Sequence, residues 1–179
     1  AIKLKEYKGK IIVVVAVPKE PLLHQWAKDI ESFSGNPIVI RGTPDKKLNL
    51  VYEAFRRISR NTSDIEIIIC THNFLCDARF HELIENENTD ILLIADEVHG
   101  LGTTSFIDNT PEMIPFRLGL SATPIRQYDE TGTKKLFEFF GDICFKFDLE
   151  NAIGICLVHY DYHVHPVTQP RSDRHVSAH

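Results

Sequence analysis

The sequence lacks the markers of several protein classes. Its four cysteines, Cys70, Cys76, Cys144 and Cys156, include no C-x-x-C pair, so neither a zinc ribbon nor a thioredoxin-like motif is present. Two of them lie in apolar runs, and all four read as reduced thiols of a cytoplasmic protein. No apolar run approaches the ~20 residues of a membrane span, and no secretory signal peptide is visible. No membrane partner is expected. Internal repeats and low-complexity segments are also missing. A basic excess is absent too: 20 Lys and Arg face 25 Asp and Glu, for a formal net charge of −5. That balance argues mildly against a free-standing nucleic-acid binder, although a small basic groove fits within an acidic total.

What is present is an ordinary globular profile. The 179 residues are 43% hydrophobic and 25% charged, enough for one domain with a real core and no need of a disulfide or metal staple. IIVVVAV (11–17) is continuous, apolar and β-branched, the pattern of a strand buried on both faces in a parallel sheet. In PLLHQWAKDIESF (21–33), Leu22, Leu23, Trp26 and Ile30 recur at helical spacing. Further strands are expected at 37–40, 65–70, 91–95 and 116–120, with another at 144–148 (CFKFD). Helices are expected at 47–59, at 72–85 as a single element and at 134–140, with a helical turn at LENAI (149–153). ICLVHYDYHVHPV (155–167) reads as extended. Strands alternating with helices at this pace predict an α/β domain whose mostly parallel sheet is flanked by helices. The opening AIKLKEYKGK reads as the end of a helix, and the closing TQPRSDRHVSAH as a linker or frayed tail.

Ligands of open parallel sheets bind beyond the carboxyl ends of the strands. Four strands here end in polar residues: Pro18-Lys19, Thr71-His72, Asp96-Glu97 and Ser121-Ala122-Thr123. Parallel strands would place all four on one rim. Adjacent acids after a hydrophobic strand suit phosphoryl transfer, with one carboxylate holding magnesium and the next orienting an attacking water. The plainer explanation is a helix start, where an acid gains ~0.3–1 kcal/mol from the helix dipole. For the acid pair alone, the plainer explanation is favoured.

The pair is not alone. ADEVH is followed by GLSATP, 25 residues separating Asp96 from Ser121, and preceded by VPKEPLLHQW and THNFL. In these stretches the chain resembles superfamily 2 helicases, the DEAD/DEAH-box class of nucleic-acid-dependent ATPases. DEVH matches their motif II, or Walker B, and SAT their motif III. VPKEPLLHQW looks like motif Ia, and THNFL like the motif Ib region. GLSATPIRQYDETGTKKLFEFFG and FDLENAI resemble the double-stranded-DNA translocase branch, which includes helicase subunits of restriction systems. The resemblance covers roughly residues 11–165.

The resemblance implies a RecA-like P-loop NTPase lobe that uses ATP and Mg2+. In it Asp96 would coordinate the metal, Glu97 would activate the hydrolytic water, and His99 would link the ATP site to the coupling machinery. Ser121, Ala122, Thr123 and Arg126 would couple hydrolysis to movement on DNA. Pro18, Lys19, Gln25 and Thr71 lie in segments that touch the sugar-phosphate backbone in such enzymes, although Lys19 also reads as an ordinary solvated loop lysine. The implied partners are DNA (a duplex or a junction), a second RecA-like lobe carrying an arginine finger, and subunits of a restriction or repair complex. RNA shares the motor and is the alternative polymer. By this layout residues 1–150 form a partial first lobe, and 151–179 a connector toward the second.

One departure is large. No G-x-x-x-x-G-K-[ST] occurs in the 179 residues. The single Gly-Lys pair, Gly9-Lys10, precedes a strand and has no Ser or Thr after it, whereas a P-loop follows a strand and opens a helix. The family layout puts the missing loop upstream of Ala1 and the second lobe after about residue 165. The lobe is therefore expected to be incomplete, and the chain by itself to hydrolyse no ATP. The alternative is a catalytically dead helicase-like module that serves protein or DNA binding.

A second cluster competes for notice. In HYDYHVH, His159, Asp161, His163 and His165 would share one face of a strand, a set able to bind zinc. An edge strand with its polar side outward and Tyr160, Tyr162 and Val164 inward is the favoured explanation, and the family resemblance supports it.

Overall fold

The computed structural model describes residues 9–155. The chain divides into two compact units, Ala1–Asp142 and Ile143–His179. In the first unit, strands β1 (Ile11–Val17), β2 (Pro37–Val39), β3 (Ile65–Thr71), β4 (Ile91–Ala95) and β5 (Phe116–Gly119) form one sheet. Its order is β2-β3-β1-β4-β5, and every adjacent pair is parallel. The helices are α1 (Glu20–Ser32), α2 (Pro44–Ser59), α3 (His72–Leu75), α4 (Ala78–Glu85), α5 (Thr104–Asp108) and α6 (Glu130–Phe140). The α/β parallel sheet expected from the sequence is thus the observed fold.

β1 is buried along its whole length because strands flank both of its edges and helices cover both of its faces. Successive side chains alternate between the faces. Ile12, Val14 and Ala16 join a large cluster with Val51, Ala54, Phe55 and Ile58 of α2, Phe80 of α4, Phe106 of α5 and Phe139 of α6. Val13, Val15 and Val17 point the other way and pack on Leu23 and Ala27 of α1. The apolar stripe of α2 runs at i, i+3, i+4 and i+7, which a 3.6-residue period requires. Its start is set by Thr43, whose hydroxyl accepts from Lys46 N, and by Pro44 in the first turn. Burying Phe55 contributes at most about 3 kcal/mol.

Two expectations fail locally. The stretch 72–85 is two helices rather than one, because Thr71 caps α3 and Asp77 caps α4, its carboxylate accepting from Arg79 N at 2.9 Å. A cap at Asp77 starts a new helix within what helical periodicity alone would run through. CFKFD (144–148) is not a strand. Phe145 and Phe147 are exposed, and apolar alternation makes a strand only where a neighbouring strand completes the ladder. The second unit contributes helix α7 (Leu149–Ala152), which falls at the expected LENAI turn. HYDYHVH and the segments 1–8 and 156–179 lie outside the described residues.

No helix among the described residues is long and apolar enough to cross a membrane. Cys70 and Cys76 are buried free thiols and Cys144 an exposed one. Burial pushes the Cys70 thiol up to about 12 and that of Cys76 up to about 11, so both are held as unreactive thiols.

Candidate active site

The sheet order locates the site. β1 lies between β3 and β4. The connection leaving β1 runs toward the β2 edge, and the one leaving β4 runs to β5 at the other edge. The carboxyl ends of β1 and β4 therefore flank a topological switch point, where open α/β sheets bind ligands. Pro18 follows β1 and Asp96 follows β4.

Asp96 is held through all four of its polar groups. Its N–H donates to the Ala16 carbonyl at 2.8 Å, which extends the β1–β4 ladder by one residue. Its carbonyl accepts from His72 Nε2 at 2.9 Å. Its Oδ1 accepts from the Glu97 N–H at 3.0 Å, and its Oδ2 accepts from Trp26 Nε1 at 2.9 Å. Burial lowers the pKa of His72, against the hydrogen bond to Asp96, which raises it. A carbonyl only accepts, so the proton in this bond sits on Nε2.

Glu97 stands in left-handed backbone, with φ 49° and ψ 52°, at the entry to a 3₁₀ turn over Val98–Gly100. That conformation costs a non-glycine residue about 1–2 kcal/mol, and it persists because its neighbours impose it. Asp96 N is tied to β1, and Val98 N donates to the Leu120 carbonyl at 3.0 Å. The turn leaves the Glu97 carboxylate half-exposed, 3.2 Å from His99 Nδ1.

His99 Nδ1 also lies 3.0 Å from Ser121 Oγ, which in turn accepts from Thr123 N at 3.2 Å. The His99 carbonyl accepts from Arg126 Nη1. Arg126 Nε donates to Asp129 Oδ2 at 2.7 Å, and Asp129 Oδ1 accepts from Gly132 N at 2.8 Å to cap α6. The Gly132 amide, and next the Arg126 guanidinium, hold the Asp129 carboxyl below its ordinary value. Two glycines admit this knot. A Cβ on Gly102 would lie 2.6 Å from Arg126 Cδ, and one on Gly132 would overlap the Asp129 carboxylate and the Gly102 carbonyl. A cleft of ≈ 580 Å³ opens between His99 and residues 123–127.

A second cleft, of ≈ 470 Å³, lies at the ends of β1 and β3. Pro18, Lys19, Lys47, Thr71, Asn73 and Asp77 are among its walls. The structure thus brings Pro18, Lys19 and Thr71 together, while Gln25 sits exposed on α1 and does not line the cleft. Asp96, Glu97, His99, Ser121 and Arg126 form a connected chain from the end of β4 to the loop after β5, of which His99 and Arg126 line the first cleft. Ala122 is exposed beside it. Sequence reasoning missed the roles of Trp26, His72, Lys47 and Asp129. Trp26 carried a signal, since a half-buried indole N–H needs an acceptor.

Among the described residues, no group of three His, Cys, Asp or Glu side chains forms a metal cage. Asp96 and Glu97 instead offer carboxylate oxygens that are partly open to solvent. Such a set fits magnesium, which keeps several waters and takes one or two carboxylates alongside substrate phosphates.

A family model described as "Type III restriction enzyme, res subunit" (ResIII) matches residues 1–126. The chain belongs to the ResIII family. The ResIII match takes in both clefts up to Arg126. "Putative helicase 109L" of Invertebrate iridescent virus 3 is 30% identical over 138 residues, which are 74% of this chain and 37% of that protein. The chain therefore spans about 37% of the length of that relative. Two de novo designed proteins of P-loop NTPase fold, solved by solution NMR, each cover 73% of the chain. They share 12% and 13% identity, with TM-scores of 0.40 and 0.37 and 90% and 89% of their own lengths covered.

Proposed function

We propose that this ResIII-family chain is the first motor lobe of an ATP-dependent helicase or translocase acting on nucleic acid, with duplex or junction DNA as the polymer. The observation that carries the proposal is the chain of polar contacts at the switch point, in which Asp96, Glu97, His99, Ser121 and Arg126 connect the end of β4 to the loop after β5. Residues 1–150 act as the lobe and 151–179 as a connector to a second RecA-like lobe. Restriction or repair subunits are the further partners.

In this reading Asp96 is the residue that would hold Mg2+ next to the phosphates of ATP. When bound, the ion offsets negative charge on the transferring phosphoryl group. Glu97 faces solvent half-exposed and serves as the base that orients and deprotonates the attacking water. His99, beside both Glu97 and Ser121, transmits the state of that base to the segment 121–126. Arg126 fixes the His99 main chain and ties it to α6. Pro18, Lys19 and Thr71 form a backbone-binding cleft, and Gln25 extends that contact along α1. Such contacts are blind to sequence, as a motor that moves along any DNA requires.

The test is ATP hydrolysis by the intact protein in the presence of DNA or RNA. Stimulation by duplex DNA well above that by RNA is expected. Equal or greater stimulation by RNA overturns the choice of polymer, and no hydrolysis with either overturns the motor.

The lack of a G-x-x-x-x-G-K-[ST] in these residues favours a second reading, a catalytically silent module that binds DNA or protein through the same rim. Calorimetry of the chain alone with Mg-ATP is expected to show weak binding, and micromolar affinity overturns that expectation. Hydrolysis by the intact protein separates the two readings.

A further inference from the structure

Trp26 lies on the helix that begins at the second cleft and is bonded to the residue that follows β4. It lies on the inner side of α1, packed with Leu22 and Ile30 against the face of the sheet that carries Val13, Val15 and Val17. Its indole N–H nevertheless leaves that apolar setting to donate to Asp96 Oδ2, 70 residues further along the chain. The indole has one donor and no acceptor, so the bond is directional, and a carboxylate acceptor makes it stronger than a neutral pair. An ionised carboxylate has about four lone-pair sites. Trp26 occupies one on Oδ2 and the Glu97 amide one on Oδ1, which fixes the rotation of the group and leaves the others open.

α1 also reaches the second cleft. Lys19 is its N-cap, and Pro18, Lys19 and Glu20 line that cleft. Seven residues of helix separate Lys19 from Trp26, about 10 Å at 1.5 Å per residue. A helix of 13 residues moves as a rod over that distance. A displacement of its N-terminal turn by a bound chain is therefore delivered to the indole.

We infer that Trp26 is a positioning residue that sets the Asp96 carboxylate for its metal and links the state of the nucleic-acid cleft to it through α1. The inference rests on the motor reading above. It predicts that loss of the indole donor frees the carboxylate to rotate while leaving both clefts otherwise intact. A misplacement of about 1 Å at such a group costs on the order of 10²-fold in rate.

Two measurements test it. The chain has a single tryptophan, so a 1H–15N spectrum of the chain contains one indole cross-peak. That peak is expected to shift on Asp96→Ala, and to shift less on Asp96→Asn, which keeps an acceptor oxygen. An indole signal indifferent to both substitutions overturns the inference. In the intact protein, Trp26→Phe keeps an aromatic ring and removes the donor. The magnesium concentration for half-maximal DNA-stimulated ATP hydrolysis is expected to rise at least fivefold, and stimulation by DNA to fall, with DNA affinity unchanged. A merely structural tryptophan lowers the active fraction and leaves the magnesium requirement where it was, and that result overturns the inference. Trp26→His, with an N–H at a similar reach, is expected to restore part of the requirement. If Trp26→Phe does not fold, the wild-type cross-peak against Asp96→Asn decides. An intact wild type without stimulated hydrolysis sinks the motor reading and Trp26's role with it. An active wild type with an indifferent Trp26→Phe sinks the role of Trp26 alone.

Discussion

At the end of β4 all four polar groups of Asp96 have protein partners, and contacts run from Glu97 to His99, from the His99 carbonyl to Arg126 and on to Asp129 at the start of α6, with Ser121 branching from the His99 ring. The cleft at the ends of β1 and β3 is built differently. Among the described residues, the side chains of Lys19 and Asn73 make no hydrogen bond or ion pair, and Lys47 rests only over the Phe74 ring, 5.9 Å from its centroid. Pre-organisation suits a site that must hold reacting groups still. Free cations suit a surface that meets a polymer of any sequence and exchanges it often. On the proposed reading the contrast fits chemistry at the end of β4 and grip at the second cleft, and substitutions in either should leave the other's property intact.

The largest break falls at Glu97. Glu97→Gln removes the base without changing volume, and DNA-stimulated hydrolysis by the intact protein should fall about 10³-fold, within the usual range for a lost general base. DNA affinity, read by fluorescence anisotropy, should be unchanged. Affinity falling in step with hydrolysis would merge the two clefts into one site.

Next comes the glycine knot. Gly132→Ala sets a methyl group against the Asp129 carboxylate, which the α6 cap fixes, and against the Gly102 carbonyl. Overpacking of this kind costs about 1–3 kcal/mol, visible in chemical denaturation of the chain. An unchanged midpoint would mean that the wired cleft yields as easily as the open one. The Asp129 carboxyl adds a pH signature. Its pKa is lowered in the folded chain, so its contribution is present above the ordinary carboxyl value and is lost as pH falls through the lowered one. Asp129→Asn should flatten that acid limb of stability.

A smaller effect belongs to the open cleft. Lys19→Ala and Lys47→Ala should each reduce the slope of log affinity against log salt by about one, as for the loss of one phosphate contact. Hydrolysis at saturating DNA should stay near wild type. A lysine whose removal leaves the slope alone does not touch phosphate.

What the sequence disclosed follows the same division. β1 and β4 were legible because parallel, doubly covered strands must be continuously apolar, and Asp96-Glu97 stood out because polar residues end such a strand abruptly. α1 was legible from the spacing of Leu22, Leu23, Trp26 and Ile30. The wiring was not legible. Periodicity states which side of α1 faces inward, but not that Trp26 meets a residue 70 positions away, nor that His72 reaches the main chain of Asp96. The cap at Asp77 and the missing partner of CFKFD were hidden for a related reason. One is a local competition that a helical pattern masks, and the other depends on a neighbour that the segment does not encode.

The smallest predicted effect probes the cost of the first cleft's order. Glu97 is held at φ 49°, where asparagine is tolerated much better than glutamate. Glu97→Asn removes the base and its half-exposed contact to His99, a pair of the kind that contributes ~0–1 kcal/mol. It also relieves a backbone strain of about 1–2 kcal/mol. The strain term is the larger, so the chain should become slightly more stable, by about 0.5 kcal/mol, while hydrolysis by the intact protein is lost. Strained residues that persist at reactive positions behave this way, because function holds them where stability would not. A loss of stability would mean that the contact to His99 outweighs the strain, and the turn at Glu97 would then be a structural device rather than a catalytic one.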